Sequence, residues 1–408
     1  MTPPAPRPAK PSSFRQTRAY RVTLWVLLVL CLVALFAIGR SAFSGSKLLK
    51  ADDFVQYWAA GRVFLAGGDP YDPAQLRPLQ HAAGRTNYID GAPTIVWNPP
   101  WLLPGLALFG ALPYPEARLA WFLLHLALIL ACLIWAWRAY SGPHNRAWAA
   151  WLVGLTFVPT LQALQVGQLG PVILALTVGL TVHAECQNAF WTGAILALLS
   201  IKPQLALPLG TIGLLWIAKQ RSLAAIAGGA CALLVASGLA VAINHPIFGA
   251  YIRAVTSYPP VEWATPTLGG VLRALTGVER FWLQFAPALI GMAWAIAHWA
   301  RRRDTWEWSQ ELPLLLLVSM VTAPYAWGYD MVLLVVPLVQ IAAQLASQPP
   351  SARTWRLAGA YLSLNLAALA VHLLLRNSFW FFWLPPALLA WYLWARKAIS
   401  APARPPAT

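Results

Sequence analysis

The chain has 408 residues, of which 59% are hydrophobic and 10% are charged, and it carries a formal net charge of +16. Because soluble globular proteins contain about 25% charged residues, this composition excludes a water-soluble domain of this length. The basic residues stand at the ends of apolar runs, where they indicate membrane orientation, and the sequence contains no basic, aromatic-studded soluble module suited to nucleic acid. We therefore predict one integral membrane domain and no nucleic-acid partner.

The N-terminal segment predicts an uncleaved first crossing. Residues 1–21 contain five basic residues and no acidic residue, and an apolar stretch follows at 22–39. A cleaved signal peptide would need a site of small residues after this stretch, and Ala42-Phe43-Ser44-Gly45 is a poor one. We predict a basic cytoplasmic segment over 1–21, a membrane domain over 22–396 and a disordered tail over 397–408.

Apolar runs suited to crossing a bilayer, which takes about 20 residues, recur along the chain. They fall at residues 22–39, 97–112, 118–138, 147–165, 169–184, 190–218, 222–243, 281–300, 311–327, 331–346, 354–374 and 378–395. The run 190–218 contains Pro203 and Pro208, which predict a kinked helix or a helix plus a re-entrant piece, counted as one crossing. The sequence thus predicts an all-α polytopic membrane protein with about twelve transmembrane helices.

Charge predicts the orientation of this domain. With the N-terminus in the cytoplasm, the basic clusters on the cytoplasmic side obey the positive-inside rule. They are residues 1–21, Lys219 with Arg221, Arg301 to Arg303, Arg353 with Arg356, and Arg396, Lys397 and Arg404. Arg138 and Arg146 fall on the other side and depart from the rule. We predict a multi-pass protein of the plasma (inner) membrane with both termini cytoplasmic and long extracytoplasmic loops at 40–96 and 244–280.

The first long loop contains a candidate catalytic carboxylate. In a helix predicted from Asp53 to Leu65, Asp53 and Tyr57 are four residues apart and share a face. Ala60 and Gly61 extend that face with almost no side chain, which predicts a shallow surface that admits a substrate beneath the carboxylate. The alternative for Asp53 is helix capping, which is also the favoured role of its neighbour Asp52.

Lys202 is the most unusual charge in the apolar part of the sequence. It stands in an apolar run of nearly thirty residues, where an ammonium group must pair, reach water or lose its proton. An anion bound within the membrane region would satisfy it. In the alternative interpretation, Pro203 marks a break near the membrane surface and Lys202 reaches water there.

Other polar and aromatic residues stand where the predicted crossings meet the outer side. Asn98 precedes two prolines at the start of one run, and Gln168 follows a glycine between two others. Asp330 follows the aromatic stretch that contains Trp327, on the same predicted side as Asp53. Two carboxylates, a buried cation and an aromatic mouth together indicate a group-transfer site.

Several short motifs, taken in order, carry a resemblance to a known family. They are Asp53-Phe54 with Tyr57, Ala59 and Ala60, then Gly68-Asp69-Pro70-Tyr71-Asp72, Asn98-Pro99-Pro100, Gly167-Gln168, Lys202-Pro203 and Pro324-Tyr325-Ala326-Trp327. In this order they resemble glycosyltransferase family 87, formerly domain of unknown function 2029, whose members are polyprenyl-phosphate-mannose-dependent enzymes of the glycosyltransferase C superfamily. The matching motifs span residues 53–330.

The resemblance implies a function and a site. It implies a glycosyltransferase C type fold with short juxtamembrane helices in the first outer loop, an extracytoplasmic active site and a lipid-linked donor that enters laterally. It implies an inverting transfer of a sugar, mannose in the family, with Asp53 as the general base. The expected partners are membrane lipids, the polyprenyl-phosphate sugar donor and a lipid or glycan acceptor; no oligomeric state is predicted.

The sequence departs from the family at the donor phosphate. Some members carry a Ser-Trp-x-His-His run whose histidines lie by the phosphate, whereas here Trp327 is followed by Gly328, Tyr329 and Asp330. Lys202 or Arg62 is the predicted source of the stabilising charge. The full set of predicted substrate-binding residues is Tyr57, Arg62, Asn98, Gln168, Lys202, Trp327 and Asp330.

No metal and no cofactor is predicted, because the sequence contains no Asp-x-Asp triplet. The adjacent Asp52 and Asp53 leave a divalent ion as the alternative. A transporter or flippase of lipid-linked saccharides is the alternative function, although transporters tend to contain internal repeats and paired broken helices, and one broken run is found here. A non-catalytic scaffold is the third alternative, and it would leave Lys202 and Asp330 without a role.

Overall fold

The computed structural model describes residues 53–85, 94–375 and 378–400, together with Val29 and Val33. The predicted basic segment 1–21, the tail residues 401–408, Asp52 and all of the first predicted crossing except those two valines lie outside the described residues. Within the described part of the chain all regular structure is helical and no strand is present. The predicted all-α class is therefore confirmed.

Seventeen α-helices are described. They are α1 (Phe54–Leu65), α2 (Pro73–Ala82), α3 (Leu103–Gly110), α4 (Tyr114–Ala139), α5 (Trp148–Thr156), α6 (Val158–Val166), α7 (Gly170–Glu185), α8 (Ala189–Leu198), α9 (Leu207–Gln220), α10 (Leu223–Ile243), α11 (Ile247–Ser257), α12 (Leu268–Thr276), α13 (Ala286–Arg302), α14 (Trp308–Thr322), α15 (Val335–Ala346), α16 (Ala352–Ala370) and α17 (Leu384–Ser400). Short 3-10 helices lead into several of them, and a π-helix, Val371–Leu375, extends α16. Helix α17 runs four residues past the predicted domain boundary at 396.

Five described helices are long and apolar enough to cross a membrane, or six if the bent pair α5 and α6 forms one span. These two helices meet at an angle of 65°. The five, with their 3-10 and π extensions, are Tyr114–Ala139, Leu223–Ile243, Phe281–Arg302, Gly328–Ala346 and Ala352–Leu375. Large apolar side chains of α10 point outward; for example, Leu234 is 71% exposed. Such unpartnered apolar surface is typical of lipid-facing helices.

The helix predicted from Asp53 to Leu65 is confirmed as α1, and it packs against α3. Gly61 lies so close to the carbonyl of Leu106 that a Cβ there would collide with it. Ala59 and Ala60 are completely buried. The prediction of a shallow, substrate-admitting surface at this face is therefore wrong, since α3 covers the small residues.

Helix α3 also changes the count of crossings. It has 8 residues and is thus about 12 Å long, whereas the hydrocarbon core is about 30 Å thick. It packs on α1, which belongs to the predicted outer loop, and α4 starts after it with Tyr114 stacked on Phe54, their ring centroids 6.1 Å apart. The run 97–112 therefore stays at one end of the bundle.

Contacts between distant segments gather at two ends of the helical bundle. At one, the Asp53 end, Asn244 donates to the carbonyl of Gly68 over 2.6 Å. At the other, the Lys219 end, Lys219 pairs with Asp304 over 2.8 Å. Further contacts at the Lys219 end join Tyr140 to Ser309, Arg146 to Ala346, Ser347 to Ser141 and Glu185 to Ser309.

Helix α4 connects the two ends, and this corrects a predicted position. It starts beside Phe54 and finishes before Tyr140, whose hydroxyl donates to the carbonyl of Ser309. Arg138 in its last turn, and Arg146 beyond it, therefore lie at the Lys219 end. The prediction that placed them on the side of Asp53 is wrong, because it counted the run 97–112 as a crossing.

The run 190–218 forms two helices, α8 and α9, instead of one crossing. Helix α8 starts just after Glu185, which lies at the Lys219 end because its side chain accepts from Ser309. The 3-10 helix Leu199–Ile201 extends α8 to the Asp53 end, where the carbonyl of Ile201 accepts a hydrogen bond from Asn98. Helix α9 then returns to Lys219. The single-crossing prediction is therefore wrong. The run 97–112 was counted as one crossing too many and the run 190–218 as one too few, so the two errors cancel for every segment after 218. The basic clusters around Lys219 and Arg302 therefore lie at one end, as predicted, and Arg138 and Arg146 lie there too.

Candidate active site

Asp53 stands at the start of α1 and its carboxylate turns away from the helix. Its backbone N–H donates to the carbonyl of Val166 over 2.9 Å, and its side chain makes no capping hydrogen bond. The carboxylate instead accepts a hydrogen bond from Gln168 Nε2 at 2.8 Å and lies 3.6 Å from Arg85 Nη1. With 22% of the side chain exposed, the carboxylate is held in place but reachable. Capping is therefore not the role of the Asp53 side chain.

Gln168 is oriented by a second donor. The hydroxyl of Tyr57 donates to Gln168 Oε1 over 2.6 Å, so the Nε2 group of the same amide faces Asp53. Burial raises the pKa of the Tyr57 phenol well above its usual range, and the charges of Asp53 and Asp330 raise it further. Tyr57 therefore stays protonated and serves as a donor. The result is a hydrogen-bonded chain from Tyr57 through Gln168 to Asp53.

The turn between α6 and α7 delivers Gln168 to this position. Gly167 ends α6 with φ +75°, a left-handed conformation that favours glycine. A Cβ here would also lie 2.8 Å from Phe54 Cβ. Trp121 Nε1 donates to the carbonyl of Gly167 over 2.8 Å, and Arg118 donates to that of Gln165 over 2.6 Å. Helix α4 thus fixes the turn that orients the amide.

Lys202 and Asp330 form a buried ion pair. Lys202 Nζ lies 2.6 Å from Asp330 Oδ1, and the side chains are 6% and 0% exposed. The second carboxylate oxygen of Asp330 accepts from the backbone N–H of Trp327 at 3.0 Å. The sequence left three possibilities for Lys202: that it pairs, reaches water or loses its proton. In the structure it pairs, and its partner is a carboxylate of the protein itself. Both oxygens of Asp330 are engaged.

The break between α8 and α9 is held by Asn98. Its side-chain amide donates to the carbonyl of Ile201 over 2.8 Å, directly before Lys202. Its own carbonyl accepts from the hydroxyl of Tyr71 over 3.1 Å, which ties the break to the first outer segment. Asn98 thereby fixes the backbone that presents Lys202 to Asp330.

Arg62 lies apart from the other predicted site residues. Its guanidinium donates to the carbonyls of Gly110 and Leu112, over 3.3 and 3.4 Å, and lies over the ring of Trp58. The remaining predicted residues form two linked sets: Asp53, Gln168 and Tyr57 are one, and Lys202, Asp330 and Trp327 are the other, with Asn98 on the carbonyl directly before Lys202. The charges of both Asp53 and Asp330 raise the pKa of Tyr57, so the two sets lie near each other.

Five half-buried aromatic side chains, including Trp327 itself, lie beside the Lys202–Asp330 pair. We call them the aromatic group: Trp97, Trp263, Tyr325, Trp327 and Tyr329. Trp263 lies at the centre, with its ring centroid 5.1 Å from that of Trp97, 5.4 Å from Trp327 and 6.0 Å from Tyr325. Trp327 in turn stacks on Tyr329, whose ring lies 5.5 Å from Lys202 Nζ. Three separate segments of the chain thus supply one aromatic surface.

Sequence reasoning missed two parts of this site. One is Arg85, which follows α2 in an ordinary polar stretch and offers no local signal. The other is Trp263, whose Tyr-Pro-Pro-Val-Glu-Trp segment belongs to the predicted second outer loop, in which no site residue was predicted. In the described part of the chain, no three His, Cys, Asp or Glu residues are grouped so as to hold a metal ion.

One comparison with known proteins finds a match. The model of glycosyltransferase family 87 matches residues 96–324, which is more than half of the chain. The matched range contains Asn98, Gln168 and Lys202. No curated protein and no solved structure matches the chain. The resemblance drawn from the motifs is therefore confirmed at the level of the family.

Proposed function

The chain belongs to glycosyltransferase family 87, and from this membership and the site geometry we propose that it transfers a sugar from a polyprenyl-phosphate donor to a lipid or glycan hydroxyl. The transfer inverts the anomeric configuration, and the sugar is mannose by analogy with the family. One observation carries the proposal. The carboxylate of Asp53 is partly exposed and is oriented by Gln168, whose amide is itself fixed by Tyr57.

The chemistry assigns one step to Asp53. Its carboxylate accepts the proton of the acceptor hydroxyl while that oxygen attacks the anomeric carbon of the donor sugar. The bond between this carbon and the phosphate oxygen breaks through an oxocarbenium-like state, and its electron pair leaves with the lipid phosphate. A lipid phosphate is a stable anion, so its departure requires a cation nearby and no general acid.

Asp53 suits the role of base better than Asp330 does. A general base must come within hydrogen-bonding distance of the substrate hydroxyl. Asp330 is completely buried, and its two oxygens are held by Lys202 and by the backbone of Trp327. Asp53 is 22% exposed and is oriented without being enclosed. We therefore assign Asp330 to holding Lys202 and Asp53 to catalysis.

The aromatic group supports a sugar as the substrate, because flat aromatic faces pack against the C–H faces of sugar rings. We expect Trp263→Ala to lower kcat/KM for sugar transfer about tenfold, since an aromatic contact contributes about 0.5–1.5 kcal/mol beyond its buried area. Trp263→Phe should retain most of the activity. Steady-state kinetics with a polyprenyl-phosphate sugar measures the effect.

A matched control for Trp263 is Trp282→Ala. Trp282 belongs to a neighbouring 3-10 helix and is 68% exposed, outside the aromatic group. Its removal should leave kcat/KM unchanged. Equal losses in the Trp263 and Trp282 variants would reject a specific contact between the sugar and the aromatic group.

We propose that the Asp53 end is extracytoplasmic and the Lys219 end cytoplasmic. The Lys219 end contains Arg138 and Arg146 as well as the cluster Arg301 to Arg303. Because Arg138 and Arg146 now lie with the other basic residues, they no longer depart from the positive-inside rule. The described chain then makes eleven passages between the two ends, counting α5 with α6 as one. With the crossing that the sequence predicts over 22–39, the proposed number is twelve, with both termini cytoplasmic at the plasma membrane.

Cysteine labelling tests this orientation. Cys186 is an exposed native cysteine directly after Glu185, at the Lys219 end. Glu262 is exposed beside Trp263, at the Asp53 end. In single-cysteine proteins, a membrane-impermeant maleimide should label Glu262→Cys in intact cells and Cys186 only after permeabilisation. The reverse pattern would overturn the orientation, and labelling of both in intact cells would overturn the assignment of the two ends to opposite sides.

A further inference from the structure

The second outer segment reaches the aromatic group through Trp263. This residue lies in a stretch without regular structure between α11 and α12. Among the described residues its side chain makes three ring contacts, with Trp97, Tyr325 and Trp327, and no hydrogen bond. Ring contacts are weak compared with the entropy of an irregular stretch of backbone. The backbone on either side of Trp263 must therefore be held by other groups.

Gln284 holds the backbone that follows Trp263. Its side chain is completely buried. Nε2 donates to Thr265 Oγ1 over 2.9 Å and to the carbonyl of Pro324. Thr265 lies two residues after Trp263, and Pro324 directly precedes Tyr325. One amide group thus joins the second outer segment to the segment that supplies three members of the aromatic group.

Arg273 holds the backbone that precedes Trp263, and it depends on the same amide. It is 3% exposed, and its Nη1 donates to Gln284 Oε1 over 3.0 Å. Its Nη2 donates to the carbonyl of Val278 over 2.8 Å and to that of Val261, two residues before Trp263. A buried guanidinium needs each of these acceptors, because an unmet donor in an apolar interior costs free energy. Arg273 and Gln284 therefore fix the backbone on both sides of Trp263.

We propose that Gln284 is a positioning residue, which keeps Trp263 against Trp327 by fastening the second outer segment to the carbonyl of Pro324. The inference rests on the proposed function for the sugar that the aromatic group binds, whereas the fastening itself does not depend on it. A ring that packs on the sugar contacts it in the ground state and in the transition state alike. Loss of its position should therefore raise KM and leave kcat nearly unchanged.

A kinetic series tests whether Gln284 acts through Trp263. Gln284→Met removes the amide and keeps the length of the side chain, and KM for a polyprenyl-phosphate sugar should rise about five- to tenfold, with kcat within about twofold of the wild type. Combined with Trp263→Ala, the same change should raise KM no further than Trp263→Ala does alone, because both changes act through one ring. Gln340→Met is the matched control. Gln340 is 1% exposed and accepts from Tyr392 over 2.6 Å, outside the aromatic group, and its loss should leave KM unchanged.

A spectroscopic measurement tests the fastening without any substrate. A nitroxide on Glu262→Cys, in protein without other cysteines, reports the motion of the backbone beside Trp263. Its electron paramagnetic resonance spectrum should show a more mobile label in Gln284→Met than in the wild type, and no change in Gln340→Met. If Gln284→Met yields no monodisperse protein, Thr265→Val removes one acceptor of the same amide. The label should then also become more mobile, and KM should rise about twofold, since one hydrogen bond is lost.

Each result decides the proposal. An unchanged KM in Gln284→Met, or a further rise in KM in the double variant with Trp263→Ala, would overturn the action of Gln284 through Trp263. Unchanged mobility of the label would overturn the fastening. Equal rises in KM in Gln284→Met and Gln340→Met would reveal a general effect of losing a buried amide and would also overturn the proposal. If the label becomes mobile as expected but the wild type turns over no polyprenyl-phosphate sugar, the proposed transfer fails and the fastening by Gln284 is supported.

Discussion

Replacing Asp53 with Asn is expected to reduce sugar transfer by about 10²- to 10⁴-fold, the contribution typical of a positioned general base. Asparagine has nearly the same shape but cannot accept the proton of the acceptor hydroxyl. Its Oδ1 can still accept from Gln168, so α1 and the turn at Gly167 should stay in place. Turnover of a radiolabelled or fluorescent polyprenyl-phosphate sugar by the purified variant measures the loss, and its melting temperature should remain within a few degrees of the wild type.

The matched control for Asp53 is Asp69→Asn. Asp69 belongs to the same outer segment and also pairs with an arginine, Arg253, but it lies outside the linked site residues. Its replacement should leave transfer almost unchanged. Retained turnover in Asp53→Asn would reject the base assignment. Passage of the lipid-linked saccharide across the membrane, with no product formed by the wild type, would favour the transporter.

Replacing Lys202 with Met is expected to destabilise the protein by about 3–5 kcal/mol, the cost of removing one partner of a buried ion pair. The reason is that Asp330 would remain completely buried, with its Oδ1 no longer facing a cation. The expected result is a marked drop in melting temperature in detergent and a lower yield of monodisperse protein. Lys219→Met, which breaks a half-exposed pair with Asp304 at the other end, is the control and should have little effect.

A double variant separates the structural role of Lys202 from a role in donor binding. In Lys202→Met with Asp330→Asn both charges are gone, and the introduced amide would keep an oxygen for the N–H of Trp327. We expect this variant to recover most of the lost stability. If Lys202 serves mainly to hold Asp330, the double variant should also bind polyprenyl phosphate as the wild type does. Restored stability with lost affinity would instead make Lys202 a ligand of the phosphate. No recovery of stability would contradict the ion-pair explanation.

The sequence predicted the chemistry of the site better than its internal connections. Lys202 and Gln168 were identified because each is a polar residue in or beside an apolar run, where such residues are costly and need a reason. Asp53 was identified because it shares a predicted helix face with Tyr57 in the first outer loop. Their partners were not identified, since Gln168 is 115 residues from Asp53 and Asp330 is 128 residues from Lys202. Arg85 was missed because an arginine in a polar loop is ordinary until its contact with Asp53 is known.

The amino-acid sequence by itself determined that the protein is helical, that it belongs in a membrane and that it is a member of glycosyltransferase family 87. These properties depend on composition, on the length of apolar runs and on local motifs, all of which are legible along the chain. The tertiary structure alone decided that the run 97–112 stays at the Asp53 end, that 190–218 forms two helices that begin and end at the Lys219 end, and that Lys202 pairs with Asp330. An apolar run has the same composition whether lipid or protein surrounds it, and a charge is paired by whichever segment packs beside it, so neither outcome can be determined before the helices are assembled.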